Sequence, residues 1–279
     1  MDQNYSEHYS VMLRDCLRIF GEELDVNSTS PIADMTFGAG GHTLALAKEF
    51  STSEVYSVDQ DPEAFANGQR LIKEGGLEDR VHLIHTNFTN FPAWWSENKS
   101  NKPLKGAMMD LGVSSHHFDS FERGFSFRED APLDMRMNNS DDSIPTAADI
   151  LNTYSEEDIA NIIFEYGEER LSRRIAKKIV ETRAEAPIKT TKELENICFH
   201  AYPANMKHRR PHPATRTFQA LRIYVNAELK VLSDTLPKLY ELLEPGGVLI
   251  VISFHSLEDR IVKRTFKEIF QTDKNAAKI

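Results

Sequence analysis

Within the first 110 residues, four short apolar runs are separated by stretches of helical spacing, a rhythm that predicts βαβ units and a parallel sheet. The runs are Ile32 to Met35, Glu54 to Val58, Arg80 to His85 and Gly106 to Met109; the second and fourth stop at Asp59 and Asp110. Leu44 to Phe50 reads as the helix behind the first strand. Past Asp110 the rhythm breaks into a stretch rich in charge, glycine and aromatics, and residues 138–145, NNSDDSIP, read as a surface linker. Helical spacing then takes over. Ile159, Ile162, Ile163 and Tyr166 share a face behind a Ser155/Asp158 cap, Leu171, Ile175 and Ile179 follow at spacing four, and Thr190/Glu193 caps Leu194 and Ile197. Phe218, Leu221, Val225, Leu229 and Leu232 predict one long amphipathic helix, after which Val248 to Ser253 resumes the sheet. The expected organisation is a discontinuous α/β domain, 1–139 and 213–279, carrying a smaller all-helical insertion over 140–212.

The formal net charge of −10 hides an uneven distribution. From Arg170 to Arg222 there are 13 Lys and Arg against 4 Glu, a local +9 that leaves −19 on the remainder. A basic segment on an acidic body is the footprint of a protein that grips a polyanion with one face. Arg173, Arg174, Lys177 and Lys178 cluster on one helical stretch, and Lys207, Arg209 and Arg210 on a Pro-broken turn; these are the candidate phosphate contacts. The longest apolar run, Gly247 to Phe254, falls far short of the roughly 20 residues of a bilayer span. The polar, acidic start lacks the marks of a signal or transit peptide, so a cytoplasmic location is expected. Cys16 and Cys198 lack metal or redox spacing and read as buried small hydrophobes; no metal is expected.

Asp34 to Thr43, DMTFGAGGHT, puts glycines where a strand turns into a helix, so that backbone N–H groups approach a ligand closely. Asp59 follows Gly40 by 19 residues at a strand end, where an acid binds the ribose hydroxyls of a nucleoside cofactor. Electrostatics separates the two cofactor classes. Acids at Asp34 and Asp110 would repel the pyrophosphate of a dinucleotide, whereas the sulfonium and amino group of S-adenosylmethionine need acceptors, so S-adenosylmethionine is preferred. Phe88, just past the third strand, is placed to stack on adenine, with core packing as its rival role.

Seven blocks of the chain, in order, resemble the RsmH/MraW family of 16S ribosomal RNA cytidine N(4)-methyltransferases. They are HYSVML at His8, DMTFGAGGHT at Asp34, DQDPEA at Asp59, the stretch Asp110 to Met137, EYGEER at Glu165, HPATRTFQALRIYVNAEL at His212 and SFHSLEDRIVKRTF at Ser253. The resemblance implies a class I, Rossmann-like methyltransferase sheet with a helical insertion that helps hold RNA. It also implies a cofactor site in which Gly40, Gly41 and His42 are the loop, Asp59 the ribose acid, Phe88 the adenine neighbour and Asp110 the strand-end acid. His117 stands where the family usually has Gln, and keeps one hydrogen bond to give or accept. Asp15 stands where Glu is common. Family members usually continue past the SFHSLEDR helix into a further stretch ending in an Arg-rich segment, whereas this sequence stops at Ile279, so the last sheet strands of the family are expected to be missing here.

The chemistry narrows the catalytic candidates. A cytosine exocyclic amine is a poor nucleophile because its lone pair is delocalised, so the site must align it and stabilise the charge that develops. Acceptors for its hydrogens do both, and the candidates are Asp110, Ser114, Ser115 and Asp134, the last with an ion pair to Arg136 or Arg123 as its rival role. His255 follows the last strand and stands as a border of the site or a cap. Phe125 and Phe127 are candidates to stack on an extruded base, with core packing as the alternative. The rival functions are DNA amino methylation, whose usual motif is replaced here by DLGV, a non-catalytic RNA-binding assembly factor, and a nicotinamide oxidoreductase.

Overall fold

Alternate residues of a strand face opposite ways, and here that alternation builds a two-sided core. The computed structural model describes residues 10–25, 27–99, 102–111, 123–208 and 210–276. The chain divides into two compact units, Met1–Ser115 with Leu229–Ile279, and His116–Glu228. In the first, β1 (Ile32–Asp34), β2 (Val55–Asp59), β3 (Val81–His85), β4 (Leu104–Asp110) and β5 (Leu243–Ile252) form one parallel sheet in the order β3-β2-β1-β4-β5. Ile32, Val55 and Met108 pack with Phe20, Leu46 and Phe50 on one face. Ala33, Tyr56, Ala107 and Met109 pack with Phe91, Trp95, Leu232 and Leu236 on the other. Each large side chain so buried stabilises the fold by roughly 1.5–3 kcal/mol.

Helices α1 (Leu13–Glu23), α2 (Gly41–Glu49), α3 (Pro62–Glu74) and α4 (Phe91–Lys99) connect or cover these strands. The start of α3 is set by Asp61, whose carboxylate accepts the Glu63 N–H while Pro62 occupies the first helical position. The strand order changes direction between β1 and β4, the point at which open α/β sheets leave a crevice at their carboxyl ends. Asp34, Asp59 and Asp110 are the last residues of β1, β2 and β4.

The second unit holds α5 (Ala147–Thr153), α6 (Glu156–Gly167), α7 (Ser172–Glu185), α8 (Thr191–Ala201) and α9 (Thr215–Val225). Thr190 and Glu193 form a reciprocal capping box, as do Thr146 and Asp149, and Ser155 accepts the Asp158 N–H. This unit extends on both sides of the 140–212 segment expected as the insertion. The reason is long-range backbone pairing: Leu133 N–H donates to Lys189 O and Thr191 N–H to Ala131 O, both at 2.9 Å. At the other end, the single helix predicted over Phe218 to Leu232 is two. Ala227 takes a left-handed φ of 49°, and the Asn226 side chain bonds both the last turn of the helix, at Arg222 O, and the backbone of Met135 and Met137.

The chain returns to the first unit through α10 (Glu228–Glu241) and β5 and then forms α11 (Ser256–Ala276). Among the described residues no helix is long and apolar enough to cross a membrane. Cys16 and Cys198 are buried free thiols, and burial pushes their pKa values up to about 11 and about 12.

Candidate active site

Asp59 holds the glycine turn from across the sheet. Its Oδ2 accepts the Gly38 N–H at 2.8 Å and its Oδ1 accepts the Asp61 N–H at 2.9 Å, so one carboxylate fixes both the turn after β1 and the entry to α3. Gly40 then takes φ 84°, a left-handed turn open to glycine. A Cβ on Gly41 would lie 2.0 Å from Ser10 Oγ, so its hydrogen is what lets the segment before α1 close on the turn. The N-cap residue of α2 is Gly40, which has no side chain with which to cap the first amides, so the helix N-terminus brings positive partial charge to the turn.

His42, in the first turn of α2, is buried; its Nε2 is 3.0 Å from Val11 O and its Nδ1 is 3.8 Å from Asp110 Oδ2. Thr36 ties the ends of β1 and β4 by accepting the Asp110 N–H on its hydroxyl at 2.7 Å. The Asp110 side chain keeps 21 % of its surface exposed, while Phe88 is half-buried at the head of a short 3-10 turn.

Asp34 behaves differently from the exposed acceptor that its position suggests. It is fully buried, and burial pushes its pKa up to about 6 against the lowering effect of His42 and of its hydrogen bonds. Thr43 Oγ1 lies 2.6 Å from Asp34 Oδ2 and 3.0 Å from Ser57 Oγ, which lies 3.1 Å from Asp34 O. Thr43 donates to the Asp34 carboxylate and Ser57 to its backbone carbonyl, so the two hydroxyls tie both acceptors of Asp34 to the start of α2 and to β2. Thr43 stands where a strict GxGxxG has its third glycine, and its hydroxyl is the reason for that departure.

The geometry is that of an acid-lined, glycine-turned crevice edge, and the comparisons agree with it. A family model described as the MraW methylase family matches residues 5–278. This chain belongs to the MraW methylase family. Relatives named "Ribosomal RNA small subunit methyltransferase H" include one from Picosynechococcus sp., 45% identical over 262 residues, which are 94% of this chain and 84% of that protein. Another, from Halothermothrix orenii, is 43% identical over 94% of this chain and 82% of its own length. The relative from Magnetococcus marinus is 48% identical over 84% of this chain and 73% of its own length.

A MraW methylase takes its methyl group from S-adenosylmethionine, and the donor set at the strand ends fits that molecule. The α2 N-terminus suits a carboxylate, and Asp59, at the end of β2 beside the glycine turn, is an acid of the kind that takes ribose hydroxyls. Asp110 offers a partly exposed carboxylate to a cationic ligand. Ser114, Ser115 and His117 lie outside the described residues, as does Arg209.

The remaining candidates divide. Asp134 lies in the second unit with its carboxylate forked by Arg136, Nε to Oδ1 at 2.8 Å and Nη2 to Oδ2 at 2.9 Å, so the ion-pair role accounts for it. That pairing raises the Arg136 pKa further. Phe125 is buried with the Arg123 guanidinium 5.7 Å from its ring, and a core residue of this kind has no free face for a base. Phe127 is half-buried and stacks on His212 at 4.9 Å. His255 sits 3.2 Å from buried Glu258 and accepts that residue's N–H, a capping arrangement. Arg173, Arg174, Lys177 and Lys178 all lie on the exposed face of α7, opposite buried Ile175, Ala176 and Ile179. Sequence reasoning missed Thr36, Thr43, Ser57 and Asn226. The one available signal was the polar residue at the third glycine position.

Proposed function

We propose that this chain transfers the methyl group of S-adenosylmethionine to the exocyclic amine N(4) of a cytidine in small-subunit (16S) ribosomal RNA, and that it works in the cytoplasm. The observation that carries this reading is the partly exposed carboxylate of Asp110 at the end of β4, beside a glycine turn that Asp59 holds at the start of α2. S-adenosylmethionine supplies an electrophilic methyl on a positively charged sulfur. In this reading Gly40, Gly41 and His42 form the cofactor loop, Asp59 accepts the ribose hydroxyls, Phe88 lies against adenine and His117 gives one polar contact.

Asp110 accepts a hydrogen of the cytosine amine, which favours a tetrahedral nitrogen and aims its lone pair along the line of displacement. Ser114 and Ser115 are the further acceptors. Asp134, already forked by Arg136, acts by stiffening its loop and does not touch the amine. No strong base is required, because a methylated ammonium releases its proton readily. Arg173, Arg174, Lys177, Lys178, Lys207, Arg209 and Arg210 meet RNA phosphates, and the relatives' printed names, methyltransferases of small-subunit ribosomal RNA, support that substrate.

The test labels purified small subunits lacking the modification with methyl-tritiated cofactor and identifies the product nucleoside by mass spectrometry. N(4)-methylcytidine is expected. Label in DNA, on another base, or on neither nucleic acid would sink the proposal.

A further inference from the structure

Between Glu195 and Glu228 the chain has no Asp or Glu, although 43 occur in the whole, and it carries Lys207, Arg209, Arg210, Arg216 and Arg222 with three histidines. In the second unit this segment gathers around one aromatic ring. Phe199 is half-buried near the end of α8, with Lys207 Nζ 5.0 Å from its ring centroid. His200 and His208 meet it edge-on with centroids 5.6 Å away, and His212 lies near-parallel to it at 6.3 Å and 18°. The same imidazole stacks on Phe127 at 4.9 Å, which joins the GFSF block to the basic turn. His200, His208 and Arg210 are exposed. The ring contacts of Phe199 are an ammonium and imidazoles, and His212 is held in place by Glu195, whose Oε1 lies 3.2 Å from its Nε2.

We propose that Phe199 and His212 are a stacking platform for bases of single-stranded RNA, with Lys207 and Arg210 taking the phosphates on either side. The inference rests on the RNA reading above and adds to it the place where nucleotides other than the methylated one are held. Every base has a π face, so such a platform binds without reading sequence, and positive charge supplies the salt-dependent part of the affinity. Lys207, over a half-buried ring, loses little by exchanging that ring for a phosphate. An acidic protein would use the charges but gain nothing from the ring, which is why RNA is the occupant favoured here.

The experiment measures fluorescence anisotropy of a short, labelled, single-stranded RNA of mixed sequence against the full chain over a range of salt. Phe199→Leu is expected to weaken binding about tenfold with the salt slope unchanged. Lys207→Gln is expected to lower the slope by about 0.7 with a smaller loss of affinity. Phe199→Tyr, which keeps a ring, should bind like the unmodified chain, so a loss shared by Leu and Tyr would mark a structural role and overturn the platform. Competition by poly-glutamate as strong as by RNA would overturn it too, as would unchanged binding by Phe199→Leu. If that variant binds normally while the unmodified chain methylates small subunits, only the platform fails; if the RNA binds through Phe199 but no subunit is methylated, only the function fails.

Discussion

Asp59 accepts the Gly38 and Asp61 N–H groups on separate oxygens, so one carboxylate fixes the glycine turn at the place where the proposed cofactor would lie. Asp59→Ala frees the Gly38 turn and, in the proposed site, removes the ribose acceptor, so S-adenosylmethionine affinity measured by calorimetry should fall by roughly 10- to 100-fold. Asp110→Asn should weaken cofactor binding and, with cofactor saturating, also lower single-turnover methylation by at least about tenfold, the loss expected for one charged acceptor; turnover equal to that of the parent would remove Asp110 from the amine's partners. Asp34 makes a different prediction, because its preference for the proton is linked to stability. A raised carboxylate pKa means the folded chain binds the proton more tightly than the unfolded one. The stabilisation is therefore complete below the ordinary value of 3.8 and is lost as pH rises through about 6. The shift corresponds to about 3 kcal/mol at most. Asp34→Asn keeps the shape without titrating, so its thermal midpoint should gain on that of the parent as pH is raised across this window. Parallel profiles would show that Asp34 titrates normally.

At the scale of elements, the strands were readable because a buried parallel strand must be a short apolar run with turn residues at its ends, and β1 to β4 lie within a few residues of the runs that predict them. The end of α9 was not readable, because the apolar spacing from Phe218 to Leu232 continues across it. What stops the helix is Asn226, which donates to Met135 O and Arg222 O at 2.8 Å and accepts the Met137 N–H at 2.7 Å. Two of those partners lie 91 and 89 positions upstream, beyond the reach of any local pattern. The same limit hid Thr43, since a hydroxyl at a glycine position has meaning only once Asp34 is known to be buried beside it. Met135, held at a φ of 65° between these bonds, is the strained point of the Asp134 loop. Asn226→Ala leaves backbone groups of that loop without their side-chain partner and should destabilise the chain by about 2 kcal/mol in urea unfolding. Asn226→Asp, which keeps the acceptor and loses the donor, should fall between. An unchanged midpoint for the Ala variant would mean that the loop stands without this tie.

Across the whole molecule, charge and chemistry lie in different parts of the chain. The three strand-end acids belong to the first unit, and the α7 cluster with the turn around Lys207 to the second. That separation was legible from the sequence, because a net +9 between Arg170 and Arg222 needs only counting. The width of the unit that carries it was not, since it depends on pairings such as Leu133 with Lys189. If the proposed sites are those used, RNA affinity and cofactor affinity should be independently removable. Arg173, Arg174 and Lys177 stand exposed in the first two turns of α7, where cations oppose the helix dipole and contribute little to folding, so replacing them spares the structure. Each contact to a single-stranded phosphate contributes about 0.7 to the slope of log affinity against log salt. The triple variant Arg173→Gln, Arg174→Gln and Lys177→Gln should therefore bind ribosomal RNA with a slope shallower by about 2, while its S-adenosylmethionine affinity stays that of the parent. Filter binding across a salt series and calorimetry with the cofactor measure the two quantities. A slope that does not change would place the phosphate contacts elsewhere on the chain, and a cofactor affinity that falls with it would mean that the two units do not act separately.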